Sequence, residues 1–264
     1  MSERLRIGII GANGWLGRAF ASALVEAGVV EARQLALSYR SGQPAILPQA
    51  GWTTDNRALL DRSDIAIVSV RPQDLHTVDA TAEGKLVVSV MAGITLDELS
   101  RRFRTDRVVR TLPNAAAEVR KSYTPWIASE AVTAEDRAAL CRILEACGTA
   151  DEVSSEADID YFTGMTGSGP AFPALLAAAM MEDAIRRGIG RDVARRAVNG
   201  LLVGTGRLLE ARDENPADLV RVFLDYRGTT AAAIEAMRAG GFDAAVSDGL
   251  QAAFQKSVNM GQGS

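Results

Sequence analysis

Leu5-Arg6-Ile7-Gly8-Ile9-Ile10 runs into Gly11-Ala12-Asn13-Gly14-Trp15-Leu16-Gly17, and a helical pattern opens at Arg18. This stretch reads as a short apolar strand, a glycine-rich turn and a helix. The order suits a dinucleotide: Gly11 permits the tight turn, Gly14 lets backbone approach a pyrophosphate, and Gly17 lets helix and strand pack closely. The helix N-terminus adds free N–H groups and a partial positive charge for the phosphates. Gly11, Asn13, Gly14, Trp15 and Leu16 are therefore expected to hold the cofactor. NAD sites place an acid at the end of the second strand, on the ribose 2′-OH. Here that strand ends Leu37-Ser38-Tyr39-Arg40-Ser41, with no acid. Arg40 is placed to pair with a 2′-phosphate, and Ser38 and Ser41 to add hydrogen bonds, so NADP (NADPH) is the expected cofactor.

Working outward, the first half continues to alternate β-rich runs with helical stretches. The helix after the turn is expected over 18–27, closed by Gly28, and a second strand over 34–38. Runs rich in Val and Ile at 65–70 and 86–90 have the texture of strands buried on both faces of a parallel sheet. Further strands are expected over 107–111 and 126–129. Alternation at this spacing predicts βαβ units and a Rossmann-like, doubly wound α/β sheet. After about Glu156 the β-branched runs stop and alanine-rich helical patterns follow, over 172–187, 191–212, 216–226, 229–239 and 243–260. Asn215 and Pro216 suit the cap and first position of the third of these. The expected division is 1–156, an NADP-binding domain, and 157–264, an all-α domain. Gly200 and Gly204 lie four apart in one helix, with Gly206 beyond. They point either to close packing within the domain or to a tightly interleaved dimer.

Composition excludes several classes of function. Of 264 residues, 47% are hydrophobic and 23% charged, an ordinary globular balance. The net charge of −4 and the lack of a long basic run argue against nucleic-acid binding. The longest apolar run, 170–181, is too short to span a bilayer, and the N-terminus lacks the apolar core of a signal peptide. Cys141 and Cys147 are too few for a disulfide scaffold and read as core residues in a reducing, cytoplasmic setting. His76 is the only histidine, which leaves little room for a Ser-His-Asp triad, and no metal site is expected.

Beyond the glycine turn, several segments carry a resemblance. They are Val70-Arg71-Pro72-Gln73-Asp74-Leu75, Val88-Ser89-Val90-Met91-Ala92-Gly93-Ile94 and Val109-Arg110-Thr111-Leu112-Pro113-Asn114. They continue with Thr166-Gly167-Ser168-Gly169-Pro170-Ala171-Phe172, Gly228-Thr229-Thr230-Ala231 and Gly240-Gly241-Phe242. In this order and spacing the chain resembles the pyrroline-5-carboxylate reductases, which make proline by reducing a cyclic imine. The resemblance implies that Val70, Arg71 and Pro72 line the adenosine and ribose side of NADPH. It brings Ala92 and Gly93 to the nicotinamide ribose and Asn114 to the nicotinamide region. It further implies that the helical domain pairs with its twin as a homodimer or a higher homo-oligomer, bringing the 228–230 turn to a partner's nicotinamide. Thr230 matches the threonine whose hydroxyl bonds the substrate nitrogen, and is the expected catalytic residue.

The chain departs from the family pattern in three places. The family turn reads Gly-Ala-Gly-Asn-Met-Gly, and Gly11 to Gly17 is one residue longer. Pro-Asn-Thr-Pro becomes Pro113-Asn114-Ala115-Ala116. The substrate loop Ser-Pro-Gly-Gly-Thr-Thr becomes Asp225-Tyr226-Arg227-Gly228-Thr229-Thr230. Tyr226, Arg227, Gly228, Thr229 and Thr230 are the expected substrate contacts. Arg227 either grips a carboxylate bidentately or, with Tyr226, narrows the pocket against proline-sized substrates. A reductase acting on a different cyclic imine or imino or keto acid is the alternative, as is a non-catalytic NADP-binding protein. A β-hydroxyacid dehydrogenase fits less well, because no lysine lies between Lys121 and Lys256.

Overall fold

The computed structural model describes residues 5–42 and 44–261. Eight strands form one sheet: Ile7–Ile10 (β1), Leu35–Ser38 (β2), Gly51–Thr53 (β3), Ile65–Val68 (β4), Leu86–Ser89 (β5), Val108–Thr111 (β6), Ser122–Ala128 (β7) and Gly148–Glu152 (β8). Their order is β3-β2-β1-β4-β5-β6-β7-β8. Strands β1 to β6 run parallel, β7 is antiparallel to β6, and β8 is parallel to β7. The chain moves outward from β1 to β3, then returns to place β4 on the other side of β1. That reversal leaves a crevice at the carboxyl ends of β1 and β4, where open α/β sheets bind ligands.

Side-chain alternation sorts the strands onto two cores. Ile7, Ile9, Ile67 and Val88 pack with Phe20 and Leu24 of α1 (Trp15–Glu26) and with Leu140 and Ile143 of α4 (Ala134–Glu145). Ile10, Val68 and Val87 face the other side, with Leu59 and Leu60 of α2 (Asn56–Asp61) and Leu99 and Phe103 of α3 (Leu96–Phe103). Both faces of the central strands are thus buried, which explains the apolar runs of β1, β4 and β5. Asp55, Thr95 and Thr133 cap α2, α3 and α4, and Ser155 caps α5 (Glu156–Phe162). Each accepts hydrogen bonds from amides that the helix itself leaves unpaired.

The chain divides into two compact units, Met1–Ser168 with Ala252–Ser264, and Gly169–Gln251. In the first, α5 runs into a π-helical turn, Thr163–Gly167. A Cβ on Gly164 would lie 3.0 Å from the backbone N of Phe254, so the end of α10 (Phe242–Gly261) approaches closely there. The second unit holds α6 (Ala171–Arg186), α7 (Arg191–Glu210), α8 (Pro216–Asp225), α9 (Thr229–Ala239) and the start of α10. The expected boundary at 156/157 falls on the first turn of α5.

Four elements differ from the sequence expectation. The first helix starts at Trp15, not Arg18, because Gly14 is already its cap. Strand β7 starts at Ser122, well before Trp126, and carries Pro125 in its interior. Proline has no N–H to give, but the carbonyl of Pro125 accepts from Leu112 N at 3.0 Å. Strands β3 and β8 were not foreseen: one has three residues, and the other, Gly-Thr-Ala-Asp-Glu, is a mostly open edge strand.

Candidate active site

Gly11 adopts φ +78°, and a Cβ on it would meet the Ser69 carbonyl oxygen at 2.5 Å. A Cβ on Gly17 would lie 2.6 Å from Gly11 O and 2.7 Å from Ala12 Cα. Gly14 N donates to Gly11 O at 3.0 Å and closes the turn. Ser38 is buried beneath it, and its Oγ accepts from Gly11 N at 3.2 Å. The hydroxyl expected to reach a 2′-phosphate therefore supports the glycine turn from below. Unlike α2 to α5, helix α1 has no side-chain cap, and its first turn carries no acid. Its leading amides are left for an anion from outside, and the absence of a Cβ on Gly11, Gly14 and Gly17 keeps the approach clear. The turn fits a dinucleotide pyrophosphate.

Around that turn, the connections after β1, β2, β4, β5 and β6 gather at the same edge of the parallel sheet. Asn13 Nδ2 donates to the carbonyls of Ser41 and Gly42, both at 3.4 Å, while Arg18 holds the Asn13 side chain at 2.5 Å. The glycine turn and the Arg40–Ser41 segment are thus tied together. Arg40 is exposed, with Nη1 3.6 Å from Asp74 Oδ2. Asp74 lies in the 3-10 turn Pro72–Thr77, which Val70 and Arg71 lead into. After β5 come Ala92 and Gly93, the latter at φ +74°. After β6, Asn114 is buried, donates its N–H to Ser122 Oγ at 3.0 Å, and accepts from Ala116 N at 2.9 Å. Trp15 stands exposed on the first turn of α1. A cavity of about 1390 Å³ lies at the opposite edge, among Leu5, Gln34, Asp64 and Ile65, and is not this site.

Sequence reasoning gave two neighbouring groups no role. In the sequence Asp74 is only one residue of the Val70–Leu75 segment. Arg110, in β6, is one of the largest fully buried side chains and ion-pairs with Glu156 at 3.1 Å and Asp160 at 2.5 Å, both on α5. An arginine inside an apolar strand run is the signal that was available for it.

The substrate-loop residues lie in the second unit. Tyr226 follows α8 and is 86% exposed. Arg227 adopts φ +54°, a left-handed conformation that suits glycine better than any residue with a Cβ. The backbone turn thus accommodates an arginine where the family has glycine. A Cβ on Gly228 would lie 3.1 Å from the Tyr226 ring, so the glycine that remains is the one the ring packs on. Gly228 caps α9 without a side-chain bond, and the first turn of α9 carries no acid. Thr229 and Thr230 are exposed in that turn, and neither serves as the cap.

The remaining candidate groups are quiet. Burial pushes the Cys147 thiol up to about 12 and raises the half-buried Cys141 as well, so neither is an activated nucleophile. His76 lies exposed on the Pro72–Thr77 turn. Among the described residues no helix is long and apolar enough to cross a membrane.

The sheet, the uncapped α1 and its glycine turn define a dinucleotide-binding α/β protein. Residues 6–93 match the family NADP oxidoreductase coenzyme F420-dependent, and residues 156–260 match Pyrroline-5-carboxylate reductase dimerisation. The chain is 34% identical to pyrroline-5-carboxylate reductase 3 of Rattus norvegicus, over 96% of its own length and 95% of that protein. It is 31% identical to the pyrroline-5-carboxylate reductase of Methanosarcina acetivorans, over 98% and 99%. Its fold matches a Coxiella burnetii pyrroline-5-carboxylate reductase with TM-score 0.89, at 23% identity over 98% and 99% of the two chains. It also matches the Plasmodium falciparum pyrroline carboxylate reductase with NADP bound, TM-score 0.85, at 22% identity over 98% and 99%. The chain belongs to the pyrroline-5-carboxylate reductase family.

Proposed function

We propose that this chain reduces the C=N bond of pyrroline-5-carboxylate with NADPH and releases proline. The observation that carries this reading is identity along nearly the whole length of named pyrroline-5-carboxylate reductases, joined to a first helix left uncapped for phosphate. NADPH, when bound, supplies the hydride. The residues of the chain bind and align. Gly11, Asn13, Gly14, Trp15 and Leu16 take the pyrophosphate on α1. Arg40 turns from Asp74 to the 2′-phosphate, with Ser41 beside it and Ser38 supporting the turn. Val70, Arg71 and Pro72 line the adenosine side, Ala92 and Gly93 the nicotinamide ribose, and Asn114 the ring.

A protonated C=N already carries positive charge at carbon, so hydride transfer needs alignment more than a strong acid or base. That suits a chain whose single histidine lies on a surface turn. The iminium N–H donates to Thr230 Oγ1, which the helix does not use as a cap. As hydride reaches carbon, the C=N π electrons pass to nitrogen. Arg227 pairs with the substrate carboxylate through its guanidinium fork.

The second copy required by this reading is a twin of the same chain. Leu175, Val203 and Val222 of α6, α7 and α8 stand exposed, and a Cβ on Gly200, Gly204 or Gly206 would meet nothing within 4 Å among the described residues. These features favour the interleaved homodimer, formed by residues 157–264, with 1–156 as the NADP-binding domain. A cytoplasmic setting completes the proposal and suits its two free cysteines.

NADPH oxidation is tested with pyrroline-5-carboxylate, its six-membered homologue, and a cyclic imine lacking the carboxylate. Fastest turnover on the first supports the reading, while none on any of them sinks it. The rebuilt Tyr226–Arg227 turn favours one second reading, a different cyclic imino acid, and preference for the six-membered ring would select it. Thr230→Ala should lower kcat on the order of 10- to 1,000-fold with the fold intact; unchanged turnover would remove Thr230 from the reaction.

A further inference from the structure

We propose that Glu156 is a positioning residue that locks the connections after β5 and β6 together and so fixes the nicotinamide end of the cofactor site. The proposal rests on the reading that Ala92, Gly93 and Asn114 meet that end. One oxygen, Glu156 Oε1, accepts from Leu96 N at 3.0 Å and from Arg110 Nη1 at 3.1 Å. Leu96 opens α3 directly after the Gly93 turn, and Arg110 lies on β6 just before Leu112-Pro113-Asn114. A single carboxylate therefore joins the two connections. Asp160, one helical turn further along α5, accepts from Arg110 Nη2 at 2.5 Å, so the guanidinium is clamped from two points on one helix face.

The partial pairing of Arg110 argues for geometry over stability. Its side chain is 2% exposed, yet its Nε has no partner among the described residues. Apolar residues of similar volume stabilise a core as well as a buried ion pair does, or better. What the fork of a guanidinium supplies is direction, because it fixes both carboxylates and everything bonded to them. Hydride transfer is sensitive to this: a displacement of about 1 Å costs on the order of 100-fold in rate.

Glu156→Ala, Glu156→Gln and the wild type are compared for kcat, for Kd of 2′,5′-ADP (a probe of the adenosine end alone), and for hydrogen exchange at the Leu96 amide. Glu156→Ala is expected to lower kcat on the order of 10- to 100-fold, with 2′,5′-ADP binding changed by no more than about two-fold. Glu156→Gln keeps the acceptor oxygen and should return kcat to within about three-fold of wild type, with Leu96 protected again. Should the alanine variant not fold, Glu156→Asp serves instead: it keeps the charge but is too short to span both donors. Unchanged kcat in the broken variant, equal loss of 2′,5′-ADP binding, or glutamine no better than alanine would each overturn the proposal. Failure of the wild type to turn over would instead count against the proposed function. Leu96 exchange equal in all three chains would overturn the tie even then.

Discussion

In the first unit, β1, β2, β4, β5 and β6 are buried along their whole length, and α1 to α4 each turn leucine, isoleucine or phenylalanine side chains onto the sheet. In the second, Ala194, Val198 and Ala231 are the buried hydrophobic side chains among the described residues, while Leu175 is 73% and Val203 65% exposed. Its helices are as regular as those of the first, but their apolar faces find little to pack on within the chain. The difference separates two ways of being folded. One unit closes its core from its own residues. The other leaves Leu175, Val203 and Val222 exposed on the faces of its helices, and exposed apolar faces are where partners bind. The family match to a dimerisation region coincides with those faces.

The comparison can be broken first where two backbone segments approach most closely, at Gly148 and Ser122. Gly148 opens β8 at φ +150°, and a Cβ there would overlap the backbone of Ser122. No rotamer change relieves a clash with backbone, so Gly148→Ala should cost about 4 kcal/mol or more, enough to abolish the cooperative unfolding transition of the first unit. Circular dichroism during thermal unfolding checks it, and a midpoint like that of the wild type would show the core to be looser than described. The counterpart in the second unit is Val203→Asp. A carboxylate on the apolar face should weaken self-association by on the order of 100-fold while leaving the helices formed. Sedimentation at micromolar concentration reads the outcome, and an undisturbed dimer would place the interface elsewhere.

The same contrast explains what could be read from the residues alone. The glycine turn, the buried strands and the helical half were legible because each rests on local chemistry: φ > 0 at Gly11, unbroken apolar runs, alanine-rich periodicity. Strand β7 extends well before the expected 126–129 and contains Pro125, a residue rare inside strands, and β8 carries no apolar signal because an edge strand need not be apolar. The candidate site was legible where a motif has a backbone reason, as at Gly11, Gly14 and Gly17. It was not legible where long-range pairing decides. Ser38 was assigned to the ligand side and lies under the turn, Asp74 came unannounced to Arg40, and the Arg110–Glu156–Asp160 cluster joins residues far apart in sequence.

Arg40 sharpens the comparison at the cofactor edge of the first unit. Its contact with Asp74 at 3.6 Å is long and exposed, so little opposes its transfer to a phosphate. Arg40→Ala should weaken NADPH by about 10- to 100-fold and NADH by less than about three-fold. Titration calorimetry with both nucleotides separates the cases, and equal loss would remove the 2′-phosphate role.

The smallest effect concerns where charge stabilises the fold. Arg107 Nε donates to Asp136 Oδ2 at 3.0 Å, joining the edge of β6 to the first turn of α4, and Asp136 is buried. Burial alone would raise the Asp136 carboxyl. The hydrogen bonds from Arg107 and Thr133 outweigh it, and the carboxyl is held below its ordinary value. The folded value lies below the unfolded one, so the stabilisation is present above pH of about 4 and is lost as pH falls through the folded value. Asp136→Asn should therefore cost about 1–2 kcal/mol at neutral pH, and that penalty should shrink below pH of about 4. Asp183, on α6, is also held low, first by Arg187 and then by Arg186, but all three side chains are about half exposed or more. Water and salt screen such pairs, so Asp183→Asn should leave the unfolding midpoint unchanged at every pH. Urea unfolding of both variants at neutral and acid pH decides the matter. A pH-independent penalty for Asp136→Asn would mean that the pair acts through shape and not charge. A penalty for Asp183→Asn would mean that the surface of the second unit is less open to solvent than its side chains indicate.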